Sequence, residues 1–415
     1  MGGGNGVRTD HSPQLRHVFL VTSGATPASG NPEYWDGEIP WVTPEDLSNR
    51  KSYWLQNTRR KITHAGYESS GATMAPASSI VLSKRAPIGQ LAVLKQSACS
   101  NQGCFLLTPR YDADTRFYYY WLSCKVRLLQ ALGRGSTFME ISADDLRSIR
   151  IPTPSPRQQR TIANYLDRET ARLDALIAEK ERLLHLLAEK RRALITRAVT
   201  LGLNPDIRLR DSGITWLGEI PAHWETERAR WLFRERDERS DTGAEYLLTV
   251  SHLTGVTLRS EKDVNMFEAA SKEGYKICFS GDLVINTMWA WMGAMGVSPL
   301  DGIVSPSYNV YEPGDRLDPS YINALVRLSA FAQEVMRYSK GVWSSRLRLY
   351  PEGFFAIALP VPPVSEQNEI VAHIANETCK SDQLRTATER TVVLLKERRA
   401  ALISAVVTGQ IDVGQ

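Results

Sequence analysis

The sequence predicts an α+β chain: two mixed α/β heads, separated by two long antiparallel helices that form an intramolecular coiled coil. The whole reads as a pseudo-twofold internal duplication. Three observations predict this: a gap-free repeat, the helical grammar of the repeated window, and a fainter likeness between the segments that precede each copy. A chain of 415 residues with 42% hydrophobic and 23% charged residues has room for two domains and ample core.

The repeat comes first, because it fixes the organisation. A shift of 208 residues lays the window 152–200 on 360–408, with 19 identities in 49 positions. Pro152, Pro154, Gln159, Ile162, Glu169, Thr170, Asp174 and Leu176 meet Pro360, Pro362, Gln367, Ile370, Glu377, Thr378, Asp382 and Leu384. Glu181, Arg182, Leu186, Leu187, Glu189 and Arg191 then meet Glu389, Arg390, Leu394, Leu395, Glu397 and Arg399, and Ala193, Leu194, Ile195, Val199 and Thr200 meet their counterparts at 401–408.

Each copy reads as one long helix. Prolines at 152, 154 and 156, and at 360, 362 and 363, are expected to precede it, since proline lacks the amide and clashes in a helix interior. Behind them neither copy has a proline, and glycine is absent until Gly202 and Gly409. In the first copy Ile162, Leu166, Leu173, Leu176, Leu183, Leu187 and Leu194 fall at coiled-coil spacings, interrupted by Lys180 and Glu169. A helix of about 45 residues spans roughly 65–70 Å and needs a partner. The second copy supplies one, and antiparallel pairing is the expectation. Dimerisation with another chain is the alternative. The exposed face carries Arg168, Arg172, Arg182, Arg191, Arg192 and Arg197, which read either as a solvated charged face or as a docking surface for a protein.

The heads, 14–150 and 215–359, are of similar length. Ile80–Gly89 resembles Leu283–Gly293, each an apolar strand signal followed by a loop and a glycine. Ala98–Phe105 resembles Ile303–Val310, and Gly135, Ser136, Thr137 resemble Gly341, Val342, Trp343. Tyr118–Leu132 and Pro319–Tyr338 read as helices. The resulting boundaries are 1–154 for the first head, 155–203 for the first helix, 204–363 for the second head, and 364–415 for the second helix and tail.

Bulk properties exclude several classes. No apolar run reaches the roughly 18–20 residues of a membrane span. The polar, glycine-rich stretch 1–13 has no signal region, and Gly6 stands where a myristoylation motif wants Ser or Thr, so a cytoplasmic location is expected. Five cysteines form no CxxC pair and read as buried thiols. A net charge of +4 suits an anionic partner. There is no Gly-Lys dipeptide for a P-loop, no Asp-Pro-Pro-Tyr or Asn-Pro-Pro-Phe motif, and no His pattern for a metal. His185 reads as helix surface.

The runs NPEYWDGEIPWVTPEDL (Asn31–Leu47) and DSGITWLGEIPAHWE (Asp211–Glu225), with the proline–Gln–Ile lead into each helix, resemble type I restriction-modification specificity (S, HsdS) subunits. The resemblance covers the whole chain in the order head, helix, head, helix, though the tryptophan-rich lead-in at 211–225 has no counterpart before the first head. It implies two target recognition domains that each read half of a bipartite double-stranded DNA site. It further implies helices that act as a ruler and dock two modification (methyltransferase) subunits, with restriction (translocase/nuclease) subunits in a complex that also cleaves. Under this reading the chain is a non-catalytic specificity subunit without cofactors, and S-adenosylmethionine, ATP and Mg belong to partner subunits.

Reading base edges needs polar and basic side chains on loops that enter a groove. The candidates are Lys84, Arg85, Asn101, Gln102, Arg134 and Thr137 in the first head. In the second they are Asn286, Thr287, Trp289, Trp291, Ser307, Tyr308, Ser344, Ser345 and Arg346. Arg85 and Arg346 come first, because arginine pairs bidentately with guanine. The tryptophans have a competing reading as core, and the Ser and Asn residues as turn caps. Two other classes compete: a stand-alone nuclease or methyltransferase, which requires an active-site cluster not found, and a coiled-coil adaptor, which leaves the heads without a task.

Overall fold

The computed structural model describes residues 12–48, 50, 52–135, 139–262, 271–341 and 347–413. The chain divides into two compact units, residues 1–181 with 389–415 and residues 182–388. Each unit therefore contains one head together with a portion of both long helices.

In the first unit a five-stranded sheet runs in the order Phe19–Ser23, Cys104–Pro109, Ile80–Ser83, Leu91–Leu94, Trp54–Leu55. The first three pairings are antiparallel, with Phe19 opposite Pro109 and Ile80 opposite Leu107. Trp54–Leu55 joins in parallel. The apolar runs IVLS and LAVL are buried throughout, because both faces of the sheet are covered. Alternation persists inside the burial: Ile80, Leu82, Phe105 and Leu107 join the core with Phe117, Tyr118 and Trp121. Val81, Ala92, Leu94 and Leu106 face the opposite core with Val42, Leu47 and Ala75. A smaller sheet pairs Trp35–Val42 with Arg60–Ile62 and Cys99–Ser100.

The second unit repeats the central pattern. Its four-stranded sheet runs Phe233–Arg236, Tyr308–Pro313, Leu283–Asn286, Met295–Val297, again antiparallel. Phe233 lies opposite Pro313, and Leu283 opposite Tyr311. Leu283, Ile285 and Tyr311 point into one core, while Val284 and Val310 point into the other. The likenesses 80–89 with 283–293 and 98–105 with 303–310 are thus equivalent strands in equivalent sheets. The third likeness, at Ser136, Thr137, Val342 and Trp343, lies outside the described residues.

Both helices expected in the heads are broken. Tyr118–Leu132 is split into Thr115–Ser123 and Val126–Ala131, and Pro319–Tyr338 into Pro319–Val326 and Ser329–Tyr338. No glycine or proline marks either break. Leu328 adopts an extended conformation, which resets the rotation so that Phe331 and Val335 join Tyr321, Ile322 and Leu325 in one core. Tertiary packing overrides local propensity here.

The long helices are Pro156–Leu201 (46 residues) and Val364–Val407 (44 residues). Pro156 does not precede its helix as expected but opens it, where its missing amide had no intrahelical acceptor. Ser155 and Gln158 close a reciprocal cap: the serine hydroxyl accepts from the Gln158 amide at 3.3 Å, and the Gln158 side chain accepts from the Ser155 amide at 3.0 Å. Gly202, at φ 71, ends the helix in the left-handed conformation.

The buried stripe of the first helix runs Gln159, Ala163, Leu166, Thr170, Leu173, Ile177, Leu187, Ala198. This corrects the expected seam: Leu176 is 44% exposed and its neighbour Ile177 is buried instead. The seven-residue line through Leu166, Leu173 and Leu187 is common to both readings. The companion line, Ala163, Thr170 and Ile177, sits three residues before or four after these leucines rather than three after, so only the structure could choose.

Within each unit the two helices run antiparallel. In the first, Asp174 pairs with Arg399 at 2.8 Å and Glu181 with Lys396 at 2.9 Å. In the second, Arg191 pairs with Asp382 at 2.8 Å. Arg191 and Arg399, like Asp174 and Asp382, are equivalent under the 208-residue shift, so the same ion pair is made twice with the helices exchanged.

Each head grips the helices through a duplicated glutamine. Gln159 accepts from the Asp114 amide at 2.9 Å and donates to the Pro154 carbonyl at 2.8 Å. Gln367 accepts from the Asp318 amide at 2.7 Å and donates to the Pro362 carbonyl at 2.8 Å. Asp114 and Asp318 cap the equivalent helices Thr115–Ser123 and Pro319–Val326.

Candidate nucleic-acid interface

In the first head three loops meet at the end of the central strand. Ser83 closes the turn that follows it: its hydroxyl donates to the Pro87 carbonyl at 2.7 Å and accepts from the Gln90 amide at 2.8 Å. Gly89, at φ 95, makes the reversal that a side chain would strain. The Lys84 amide donates to the Gly103 carbonyl at 2.9 Å, and its carbonyl accepts from Ile141 at 3.1 Å. The turn at 84–89 is thereby tied to the turn at 100–103 and to the ladder joining Arg134 and Glu140.

This brings Lys84, Arg85, Asn101, Gln102 and Arg134 into one region, while Thr137 lies outside the described residues. Their availability differs. Lys84, only 14% exposed, holds Glu140 at 2.8 Å and lies 5.3 Å from the Phe105 ring. Arg85 reaches the same carboxylate at 3.6 Å. One carboxylate faces two cations, so the cluster keeps a net positive charge. Arg134 is 80% exposed and touches Asp145 at 3.3 Å. Asn101 is occupied locally, accepting from the Gly103 amide at 2.9 Å, and Gln102 accepts from the Thr26 hydroxyl.

In the second head the equivalent turn follows Leu283–Asn286 and reverses at Gly293, φ 87. Buried Asn286 donates to the Tyr308 hydroxyl at 3.2 Å, and the Thr287 hydroxyl donates to the Ser307 carbonyl at 2.8 Å. The Thr287 carbonyl accepts from Leu349 at 3.1 Å, next to the bridge between Lys340 and Arg348. Asn286, Thr287, Ser307 and Tyr308 therefore form the base of the loop, with Trp289 and Trp291 above it. Ser344, Ser345 and Arg346 lie outside the described residues.

Sequence reasoning missed three features. Arg60 sits 3.6 Å over the ring of Trp35 on the small sheet, and only the basic run Arg59, Arg60, Lys61 hinted at it. Arg16, His17, Arg110 and Arg147 border an open cleft of about 480 Å³ beside the edge strand Phe19–Ser23. These residues are scattered in the sequence, so no local signal joins them. Met288 and Met292, absent from the candidates, are exposed beside Trp289.

The buried thiols of the heads are held in the protonated form. Burial pushes the Cys99 and Cys278 thiols up to about 11 and Cys104 up to about 12. Among the described residues no three His, Cys, Asp or Glu side chains gather to hold a metal. No described helix is long and apolar enough to cross a membrane.

On the long helices Arg191 is engaged by Asp382 at 2.8 Å, and Arg168 reaches Glu169 at 3.1 Å. Arg172, Arg182, Arg192 and Arg197 are exposed. Leucines stand exposed among them at equivalent positions: Leu176 at 44% and Leu384 at 48%, Leu186 at 50% and Leu394 at 53%. The first unit holds Leu176 and Leu394, the second Leu186 and Leu384.

Residues 13–185 match the family described as Type I restriction modification DNA specificity domain. The MjaIX type I restriction enzyme specificity subunit of Methanocaldococcus jannaschii is 33% identical over 171 residues, 41% of this chain and 39% of that one. The match thus spans about two fifths of that relative's length. The EcoDI specificity subunit of Escherichia coli is 19% identical over 329 residues, covering 72% of this chain and 70% of its own. Among solved structures, a chain from work on complex assembly and conformational transition of the type I R-M system superposes with a TM-score of 0.66 at 15% identity, covering 96% of this chain and 97% of that one. The HsdS subunit of Thermoanaerobacter tengcongensis gives 0.53 at 16% identity, covering 96% of each. At these identities the structural likenesses establish the fold.

Proposed function

We infer that this chain, which over residues 13–185 belongs to the family of type I restriction-modification DNA specificity domains, is the DNA sequence-specificity subunit of a type I restriction-modification complex. Its two heads, 1–154 and 204–363, each read one half of a bipartite double-stranded target. The helices, 155–203 and 364–415, set the spacer and dock two modification subunits. The chain itself is non-catalytic and acts in the cytoplasm. S-adenosylmethionine, ATP and Mg are carried by the modification subunits and, in a complex that cleaves, by restriction subunits.

One observation carries this reading: the same strand-and-turn framework occurs twice, and at the same turn presents different chemistry, Lys84 and Arg85 in one head and Met288 and Trp289 in the other. A duplicated framework with divergent tips is what reading two different half-sites requires. The docking role is supported by the paired leucines. Surface leucines lying alone are ordinary, but the same two recurring in both copies give each unit one Leu176-type and one Leu186-type residue, an arrangement suited to two copies of one partner. Arg172, Arg182, Arg192 and Arg197 frame these leucines. Phosphate contacts fall to Arg134 and the basic cleft of Arg16, Arg110 and Arg147, with base contacts from the loop tips, Arg85 among them.

Methylome sequencing of a host carrying this chain with its modification subunit, against a deletion of this chain, tests the proposal. A bipartite methylated motif that disappears with the deletion is expected. Unchanged methylation would remove the reading.

A further inference from the structure

The turn after the central strand is built alike in the two heads, yet its tip is cationic in one and apolar in the other. In the second head Trp289 is 50% exposed, flanked by Met288 and Met292 at 37% and 39%. Three large apolar side chains on one short loop are not explained as core, and an exposed apolar cluster marks an interaction surface.

The loop is also braced before any partner arrives. The Trp291 ring lies 6.3 Å from that of Trp289 at 22°, and its indole N–H donates to the Met288 carbonyl at 3.1 Å. The amides of Met292 and Ala294 donate to the Trp289 carbonyl at 3.0 and 3.1 Å. Ala290 is fully buried and joins the core that includes Phe331 and Val335, which anchors the loop to the head. The Leu349 amide, bound to the Thr287 carbonyl, ties the base of the loop to the bridge that carries exposed Lys340 and Arg348, so two cations lie on the segment beside an apolar tip. That combination matches an occupant with apolar surface set between phosphates.

We propose that Met288, Trp289 and Met292 read the second half-site by apolar contact with its base pairs, a thymine methyl edge or an exposed ring face, whereas the first head relies on charge through Arg85 and Arg134. This rests on the reading of the chain as a specificity subunit. Charge-borne affinity falls with salt through counterion release, while apolar contact leaves that slope unchanged.

The test uses the full chain in complex with its modification subunits, binding a duplex that carries the methylated motif, titrated between 50 and 200 mM salt. Trp289→Ala is expected to weaken binding about tenfold at every salt concentration with an unaltered slope, in line with the loss of one aromatic–base contact. Trp289→Phe should stay within about threefold of the parent, which shows that the loop still folds. Trp289→Arg should steepen the slope by about one, and Arg134→Ala should flatten it by about one. Replacing thymine by deoxyuridine in the second half-site separates the two apolar sources: a loss that Trp289→Ala abolishes assigns the methyl, and no loss assigns the ring face. Affinity of Trp289→Ala within twofold of the parent, or a flatter slope, overturns the proposal. A parent complex that does not distinguish the target from a scrambled duplex fails differently. It removes the specificity-subunit reading and this loop assignment with it.

Discussion

Gln159 and Gln367 illustrate how a single side chain couples two elements. Each amide group satisfies a buried amide on a helix cap and a carbonyl before its own helix. Replacing either by alanine removes these two contacts and a third, to the Tyr118 hydroxyl for Gln159 or the Arg316 carbonyl for Gln367, which costs about 2–4 kcal/mol. We expect Gln159→Ala to lower the unfolding midpoint measurably, with Gln159→Glu intermediate; an unchanged midpoint would refute the bridging role. The identity of these two residues was legible in the repeat, but their task was not, because the partners lie some 45 and 49 positions away. The cysteines were legible only in part: Cys99, Cys104 and Cys278 are the buried thiols expected, whereas Cys124 is half-buried and Cys379, on the surface of a long helix, is exposed. Burial raises Cys99, Cys104 and Cys278, so the thiolate fraction near pH 8 is small and grows only as pH climbs toward those values. Alkylation of the native chain at pH 8 should therefore modify exposed Cys379 first. Equal labelling of Cys104 would contradict the burial.

At the level of elements, two kinds of interaction hold the long helices together, and they differ in weight. Leu173 and Ile177 are buried, and truncating either to alanine should cost about 2–4 kcal/mol through lost burial and the cavity left behind. The ion pair of Asp174 and Arg399 is 46% and 35% exposed, so solvent screening reduces it to about 0.5–1 kcal/mol. Urea melts of Ile177→Ala and Asp174→Ala should differ several-fold in ΔΔG; near-equal losses would mean that the pair matters more than its exposure allows. The ion pairs instead favour one alignment, since each forms only in the antiparallel register. Helix extent was legible because proline and glycine punctuate it sharply. The seam was half legible: Leu166, Leu173 and Leu187 were read correctly, but Leu176 is as apolar as Ile177, and no spacing rule separates adjacent leucine and isoleucine. The breaks at 124–125 and 327–328 left no trace in composition, since core packing imposes them.

For the whole molecule, the duplication was the most legible feature, because 49 gap-free positions fix both the order of parts and the pairing partner. Which loop tips meet was less so: two of the three faint likenesses, those at 80–89 and 98–105, identified the right strands, while the basic cleft of Arg16, Arg110 and Arg147 is assembled from segments far apart in the chain. The proposed ruler gives a prediction at this scale. Four residues inserted after Ala178 add about 6 Å but shift the heptad phase, so a changed spacer should come with lost stability. Seven residues there, matched by seven after Lys396, keep the phase and lie between the pairs Asp174–Arg399 and Glu181–Lys396. They add about 10 Å, roughly three base pairs of duplex. The methylated motif should lengthen its spacer accordingly, and an unchanged spacer would sink the ruler. The packing also sets a rule for grafting. The core of the first head includes Leu166 from one long helix and Ile403, Val406 and Val407 from the other, and the core of the second includes Val199 and Ile370. A chimaera cut at the prolines would tear these cores open, whereas one that transplants residues 1–181 together with 389–415 would carry each core across intact.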